Sequence, residues 1–153
     1  MLDKKKLEEI KKIIEEFFEK MTFAINLEEI HKDEQTIFVK LKADDPQILI
    51  GEKGQVLSEI QRLLKAILKK RIEESFFIDI DINDYKKKKA EYLREMARMT
   101  ADEVALTKKE KKLPAMPAYE RRIIHLELAD RNDVTTESIG KEPERQLVIK
   151  PYP

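Results

Sequence analysis

The sequence predicts an α+β chain built as two small domains, with neighbouring segments changing between a helical apolar repeat and strict alternation. A first segment reads α-β-β-α-α-β, and a lysine run just after residue 84 opens a second segment that reads helix, helix, strand, strand. Its 153 residues, 41% hydrophobic and 41% charged, hold enough apolar material for one or two cores. The 31 Lys+Arg balance the 31 Asp+Glu, so no global field draws the chain to nucleic acid or membrane, and any basic function must lie in a local patch. With no cysteine, disulfides, thiol nucleophiles and thiolate metal sites are excluded. Uncharged runs such as residues 46–51 fall far short of the roughly 20 apolar residues that a spanning helix needs. The opening residues have no signal-peptide pattern, so the expectation is a cytoplasmic protein without membrane insertion.

From Leu7 to Met21 the apolar residues Leu7, Ile10, Ile13, Ile14, Phe17, Phe18 and Met21 recur at helical period and predict an amphipathic helix. Phe23, Ile25 and Leu27 alternate with polar neighbours, and residues 36–41 are β-rich, so two strands are expected around a turn at His31 to Glu34. An acidic cap candidate and Pro46 start a very short helix that Gly51 ends. A second helix runs from Gln55 to about Glu73, with Val56, Leu57, Ile60, Leu63, Leu64, Ile67 and Leu68 on one face. Phe76, Ile78, Ile80 and Ile82 alternate with Phe77, Asp79, Asp81 and Asn83 as a strand with one wet face.

The change of character near Asp84 places a domain boundary between 1–83 and 84–153. Basic and acidic residues number 15 and 18 over 1–83, 12 and 7 over 84–125, and 4 and 6 over 126–153, so only the middle segment is basic. A long helix begins in the lysines 86–89 and buries Leu93, Met96, Ala97, Ala101 and Val104. A proline-bounded connector at 113–117 leads to a helix ending about Leu128, and strands follow over Val134 to Ile139 and Gln146 to Ile149.

Gly51-Glu52-Lys53-Gly54 joins two helices, and its glycines let backbone approach a ligand with no Cβ in the way. The helix beyond offers free N–H groups and a positive dipole end, which suit phosphate. Taken alone, G-x-x-G also fits a simple tight turn. Set between Ile48-Leu49-Ile50 and an amphipathic helix, within an α-β-β-α-α-β order, it resembles a type II KH domain, whose GXXG loop clamps nucleotide backbone. That resemblance implies phosphate contacts from Gly51, Lys53 and Gly54, and a groove for unstacked bases shaped by Ile48, Ile50, Val56 and Ile60. Glu52 departs from the family, whose loops usually carry a basic or neutral residue there. A carboxylate facing phosphate weakens binding.

Arg121 and His125 stand four apart and share a helix face. As an isolated pair they also fit a snorkelling arginine and a structural histidine. The basic helix, the connector, residues 120–125, residues 134–140 and residues 142–145 together resemble the R-x-x-x-H ("R-three-H") single-strand-binding domain over 84–151. A KH module followed by this module is similar to the Jag family, also called KhpB or SpoIIIJ-associated RNA-binding proteins. The likeness implies non-catalytic, cofactor-free binding of single-stranded RNA, or single-stranded DNA, in a regulatory or chaperone role beside a small KH-domain partner. It assigns charge and hydrogen bonding to Arg121, Arg122, His125 and Arg145. The N-terminal Jag domain of many members is missing from this sequence, so functions of that part are not carried over.

Other readings stay open on the residues alone. The lysines at 86–89 fit a phosphate-tracking patch or a solvated helix face equally. Tyr85, Tyr92 and Tyr119 can stack bases or simply pack. Asp79, Asp81 and Asp84 could hold Mg²⁺ for a nuclease, against a plainer reading of wet strand positions and a helix cap at Asp84. His31 reads as a surface turn residue. Metalloprotease, P-loop and G-x-S-x-G hydrolase patterns are missing. The rival from another class is a protein-interaction adaptor, which would bind RNA weakly and show little salt dependence.

Overall fold

The computed structural model describes residues 3–153. The chain divides into two compact units, Met1–Lys86 and Lys87–Pro153. The first unit runs α1 (Lys4–Lys20), β1 (Ile25–Asp33), β2 (Thr36–Ala43), α2 (Pro46–Ile50), a single 3₁₀ turn (Glu52–Gly54), α3 (Gln55–Arg71) and β3 (Phe77–Ile82). The α-β-β-α-α-β order expected from periodicity is therefore present.

Asp3 caps α1 by accepting from the Lys6 amide at 2.9 Å. Ile10, Ile13, Ile14 and Phe18 turn inward from α1, and Leu57, Ile60, Leu64 and Leu68 from α3. They meet Ile37, Val39 and Leu41 of β2 and Ile78, Ile80 and Ile82 of β3 in one core. The sheet has the order β1-β2-β3, antiparallel between β1 and β2 and parallel between β2 and β3. The parallel pair requires a crossover, and α2 and α3 supply it.

Two local expectations are corrected. The hairpin turn sits at Glu34-Gln35, because His31, Lys32 and Asp33 pair with Phe38, Ile37 and Thr36 and so belong to β1. His31 remains half-exposed, its ring stacked on Phe38 at 5.1 Å. At the start of α2, Asp45 makes no side-chain cap hydrogen bond, and Pro46 marks the helix start by its fixed φ. After β3, Asp81 Oδ1 accepts from the amides of Ile82 at 2.9 Å and Lys86 at 3.1 Å. Asp84 pairs with Lys40 Nζ at 3.1 Å, and Asp81 supplies an acceptor to an amide at the start of α4.

The helix α4 (Tyr85–Thr107) is followed by a two-residue strand β4 (Lys111–Lys112), α5 (Ala118–Leu128), β5 (Val134–Ile139) and β6 (Gln146–Pro151). Periodicity missed β4, which is too short to show a period. Its sheet has the order β4-β6-β5, antiparallel throughout. Leu93, Ala97, Ala101 and Val104 of α4 pack with Ile124 and Leu128 of α5, Val134 of β5 and Leu147 and Ile149 of β6. Arg131 ties the end of α5 to α4, forking onto Asp133 at 2.7 and 2.9 Å and reaching Asp102 at 2.8 Å. No described helix is long and apolar enough to cross a membrane.

Candidate nucleic-acid interface

In the first unit the candidate site is the turn between α2 and α3. Leu49 is fully buried and anchors α2, Ile50 is half-buried against the core, and Ile48 faces solvent at 59% exposure. The chain then reverses through three positive φ values: Gly51 at 73°, Lys53 at 56° and Gly54 at 77°. The Gly51 amide donates to Gln47 O at 2.9 Å, and the Gly54 amide to Gly51 O at 3.2 Å. These bonds hold the turn while Glu52 and Lys53 stay exposed.

Both glycines are also required by internal neighbours. A Cβ at Gly51 would lie 2.4 Å from Val56 Cγ2, and one at Gly54 would lie 3.0 Å from the Tyr85 ring. Val56 seals the turn with one side of its side chain and leaves 40% of its surface open. Ile60 does not share that groove: at 5% exposure it belongs to the core, one helical turn inward from Val56. Lys53 stands beside the positive dipole end of α3, whose first amide, that of Gln55, donates to Glu52 O within the turn.

In the second unit Pro117 starts α5, and one face of that helix aligns Arg121 and His125. A groove of about 450 Å³ runs between this helix and β5, lined by Ala118, Arg121, Arg122, His125, Thr136 and Ser138 among others. Arg122 and His125 are exposed. His125 Nδ1 and Thr136 Oγ1 are hydrogen-bonded at 2.6 Å, which fixes the imidazole to the sheet and leaves Nε2 as its other polar atom.

Arg121 is placed differently from the free anchor expected of it. Its side chain is 9% exposed, its Nε donates to Met116 O at 3.2 Å, and its Nη2 meets Glu142 Oε1 at 2.5 Å. Arg145 likewise spends its guanidinium on backbone, donating to Gly140 O at 2.6 Å and to Ser138 O at 3.4 Å. The exposed cation of the groove is therefore Arg122. Glu142 and Thr136 escaped residue-by-residue reading because they lie 21 and 11 positions from their partners. Only the return of the strands beside α5 brings them together.

The carboxylates weighed as a Mg²⁺ site are already engaged. Lys86 Nζ pairs with Asp79 and also reaches Gln61 Oε1 at 3.1 Å, while Asp81 accepts the two amides described above. Among the described residues, no cluster of three or more His, Cys, Asp or Glu could hold a metal ion.

Residues 91–151 match the model of the R-three-H domain. The chain is 35% identical over 137 residues to the RNA-binding protein KhpB of Clostridium symbiosum, covering 89% of this chain and 62% of that protein. Against the RNA-binding protein KhpB of Lactiplantibacillus plantarum it is 35% identical over 102 residues, 67% of this chain and 32% of the relative. Against the RNA-binding protein KhpB of Bacillus subtilis it is 30% identical over 122 residues, 78% of this chain and 59% of the relative. The chain thus spans less than two thirds of each of these relatives. With an R-three-H match inside its second unit and 30–35% identity to KhpB proteins, the chain is similar to the Jag/KhpB family across most of its length.

Proposed function

We propose that this protein binds single-stranded RNA without catalysing a reaction on it, and acts in the cytoplasm as a post-transcriptional regulator or RNA chaperone. The observation that carries the reading is the groove beside α5, where the R-three-H match coincides with an exposed Arg122 and with His125 held by Thr136. Arg122 supplies charge to phosphate, and His125 and Thr136 supply hydrogen-bonding groups to sugar or base edges. The names of the relatives point to the same ligand class.

The first unit acts as a KH domain and is the second anchor. Its Gly51-Glu52-Lys53-Gly54 turn offers the Lys53 ammonium to phosphate and glycine surfaces without Cβ to the backbone of the strand, and Ile48, Ile50 and Val56 give bases an apolar surface. Glu52 opposes phosphate, so this unit grips weakly by itself. Single-stranded DNA competes wherever the 2′-hydroxyl is not read, and a small KH-domain protein is the partner proposed beside the RNA.

The test is fluorescence anisotropy of short labelled single-stranded RNAs at low and moderate salt. The parent is compared with Lys53→Asp and Arg122→Glu, each checked for fold by circular dichroism. Arg122 replaces Arg121 as the informative position because it is exposed and free to change without disturbing the buried pair. Each variant should weaken binding about tenfold and flatten its salt dependence. A folded parent that binds no RNA at micromolar concentration would refute the reading and favour a protein-interaction adaptor.

A further inference from the structure

We propose that Glu142 gates the arginine of the R-x-x-x-H pair. In the free protein its carboxylate occupies the place on the Arg121 guanidinium that a phosphodiester takes on binding, and the ligand exchanges one anion for the other. This rests on the nucleic-acid reading above and names how that site is regulated.

Three observations carry it. First, Arg121 is the signature cation of the groove, yet only 9% of its side chain is exposed, and Glu142 lies against its Nη2 at 2.5 Å. A phosphate cannot reach that guanidinium edge until the carboxylate leaves. Second, the two partners differ in what departure costs them. Glu142 is 58% exposed, so its carboxylate rehydrates readily, whereas a nearly buried guanidinium stripped of its counter-ion is strongly disfavoured. An approaching phosphate removes that asymmetry, because it presents paired oxygens to the same planar fork as the carboxylate withdraws.

Third, the loop that carries Glu142 holds its shape without the pair. Arg145 Nη1 donates to Gly140 O at 2.6 Å, the Glu144 amide to Lys141 O at 2.8 Å and the Met116 amide to Arg145 O at 3.3 Å. The Glu142 side chain can therefore turn outward while the backbone of the β5–β6 connection stays in place. Before exchange the Arg121–Glu142 pair is neutral and attracts no phosphate from a distance. Arg122 makes the first encounter, and Arg121 engages only a phosphate already seated in the groove. Glu142 thus lowers affinity for nucleic acid in general and selects strands that lay a phosphate deep against α5.

The experiment measures anisotropy of a fluorescein-labelled 12-nucleotide oligouridylate across a NaCl series, with the full chain and Glu142→Gln, Glu142→Asp, Glu144→Gln and Arg122→Glu. Glu142→Gln should tighten binding at least fivefold at low salt and steepen the plot of log affinity against log salt by about one phosphate. Glu142→Asp keeps the charge but withdraws the carboxylate by one methylene, and should also tighten binding. Glu144→Gln removes a neighbouring negative charge and should change affinity less than twofold. Equal gains from Glu142→Gln and Glu144→Gln, or no gain from Glu142→Asp, would reduce the effect to net charge and overturn the gate. Unchanged or weaker binding by Glu142→Gln, while the parent binds and Arg122→Glu does not, would overturn the gate alone. RNA binding by neither the parent nor Glu142→Gln would overturn both the gate and the reading beneath it.

Discussion

Gly51 combines a φ of +73° with a hydrogen on Cα where any side chain would begin 2.4 Å from Val56 Cγ2. Gly51→Ala therefore meets two separate penalties, a left-handed backbone and a steric clash, and should lower stability by about 2–3 kcal/mol. Adding Val56→Ala removes the closest contact but leaves the Val56 Cβ at 2.8 Å and the backbone penalty. The double variant should lose less than the sum of the two single losses when urea midpoints are compared. Additive losses would mean that Val56 does not press on Gly51. The same turn shows what residue-level reading can supply. The glycine spacing is visible in the sequence as a requirement for backbone without Cβ, for a tight turn or for a ligand's approach, but not which neighbours impose it. The internal reasons, Val56 and Tyr85, are packing facts. Arg121 teaches the converse, since a helical spacing of four locates two side chains on one face and says nothing of how deeply either is buried.

At the scale of elements, the junction between β3 and α4 depends on Asp81, whose carboxylate takes the Ile82 and Lys86 amides. Asp81→Ala leaves the Lys86 amide without that acceptor and should cost about 1–2 kcal/mol in chemical denaturation, the range of a lost helix cap. Asp81→Asn keeps a side-chain oxygen and should recover at least half of that loss. A loss confined to Mg²⁺-containing buffer would instead point to a metal role for this carboxylate. The helices and the strands of both units were legible because long amphipathic patterns and alternating isoleucines each admit one reading. Phe76, Ile78, Ile80 and Ile82 declared the inner face of β3 outright, and Ile78, Ile80 and Ile82 are buried as that pattern requires. What failed was set by pairing. His31, Lys32 and Asp33 are polar and turn-prone in isolation, yet β2 offers them ladder partners, and cross-strand hydrogen bonding overrides their local preference. The two residues of β4 form a strand only because Val148 and Ile149 lie beside them.

Over the whole molecule, equal numbers of positive and negative side chains make stability a matter of where charges are paired rather than of net repulsion. Hydrogen bonding from Lys6 holds the Glu74 carboxyl below its ordinary range, from Arg131 the Asp133 carboxyl, and from Lys150 the Glu137 carboxyl. A carboxyl depressed in the folded state contributes stability that is fully present above its unfolded value. That contribution is lost as pH falls through the folded one. On the other side, hydrogen bonds donated to Glu74, Asp84 and Glu137 raise Lys6, Lys40 and Lys150. Their contribution is complete below the unfolded lysine value and disappears as pH rises through the folded one. Stability should therefore be level between about pH 5 and 10 and decline beyond both edges, each decline being shallow because these pairs are exposed and screened. Calorimetric Tm measured from pH 2 to 11 in low salt checks this. In 1 M NaCl the edges should soften, because screening removes what the pairs add. A Tm that held constant from pH 5 down to pH 2 would show that these carboxyls titrate alike in the folded and unfolded chain, and that the surface pairs contribute nothing to its stability.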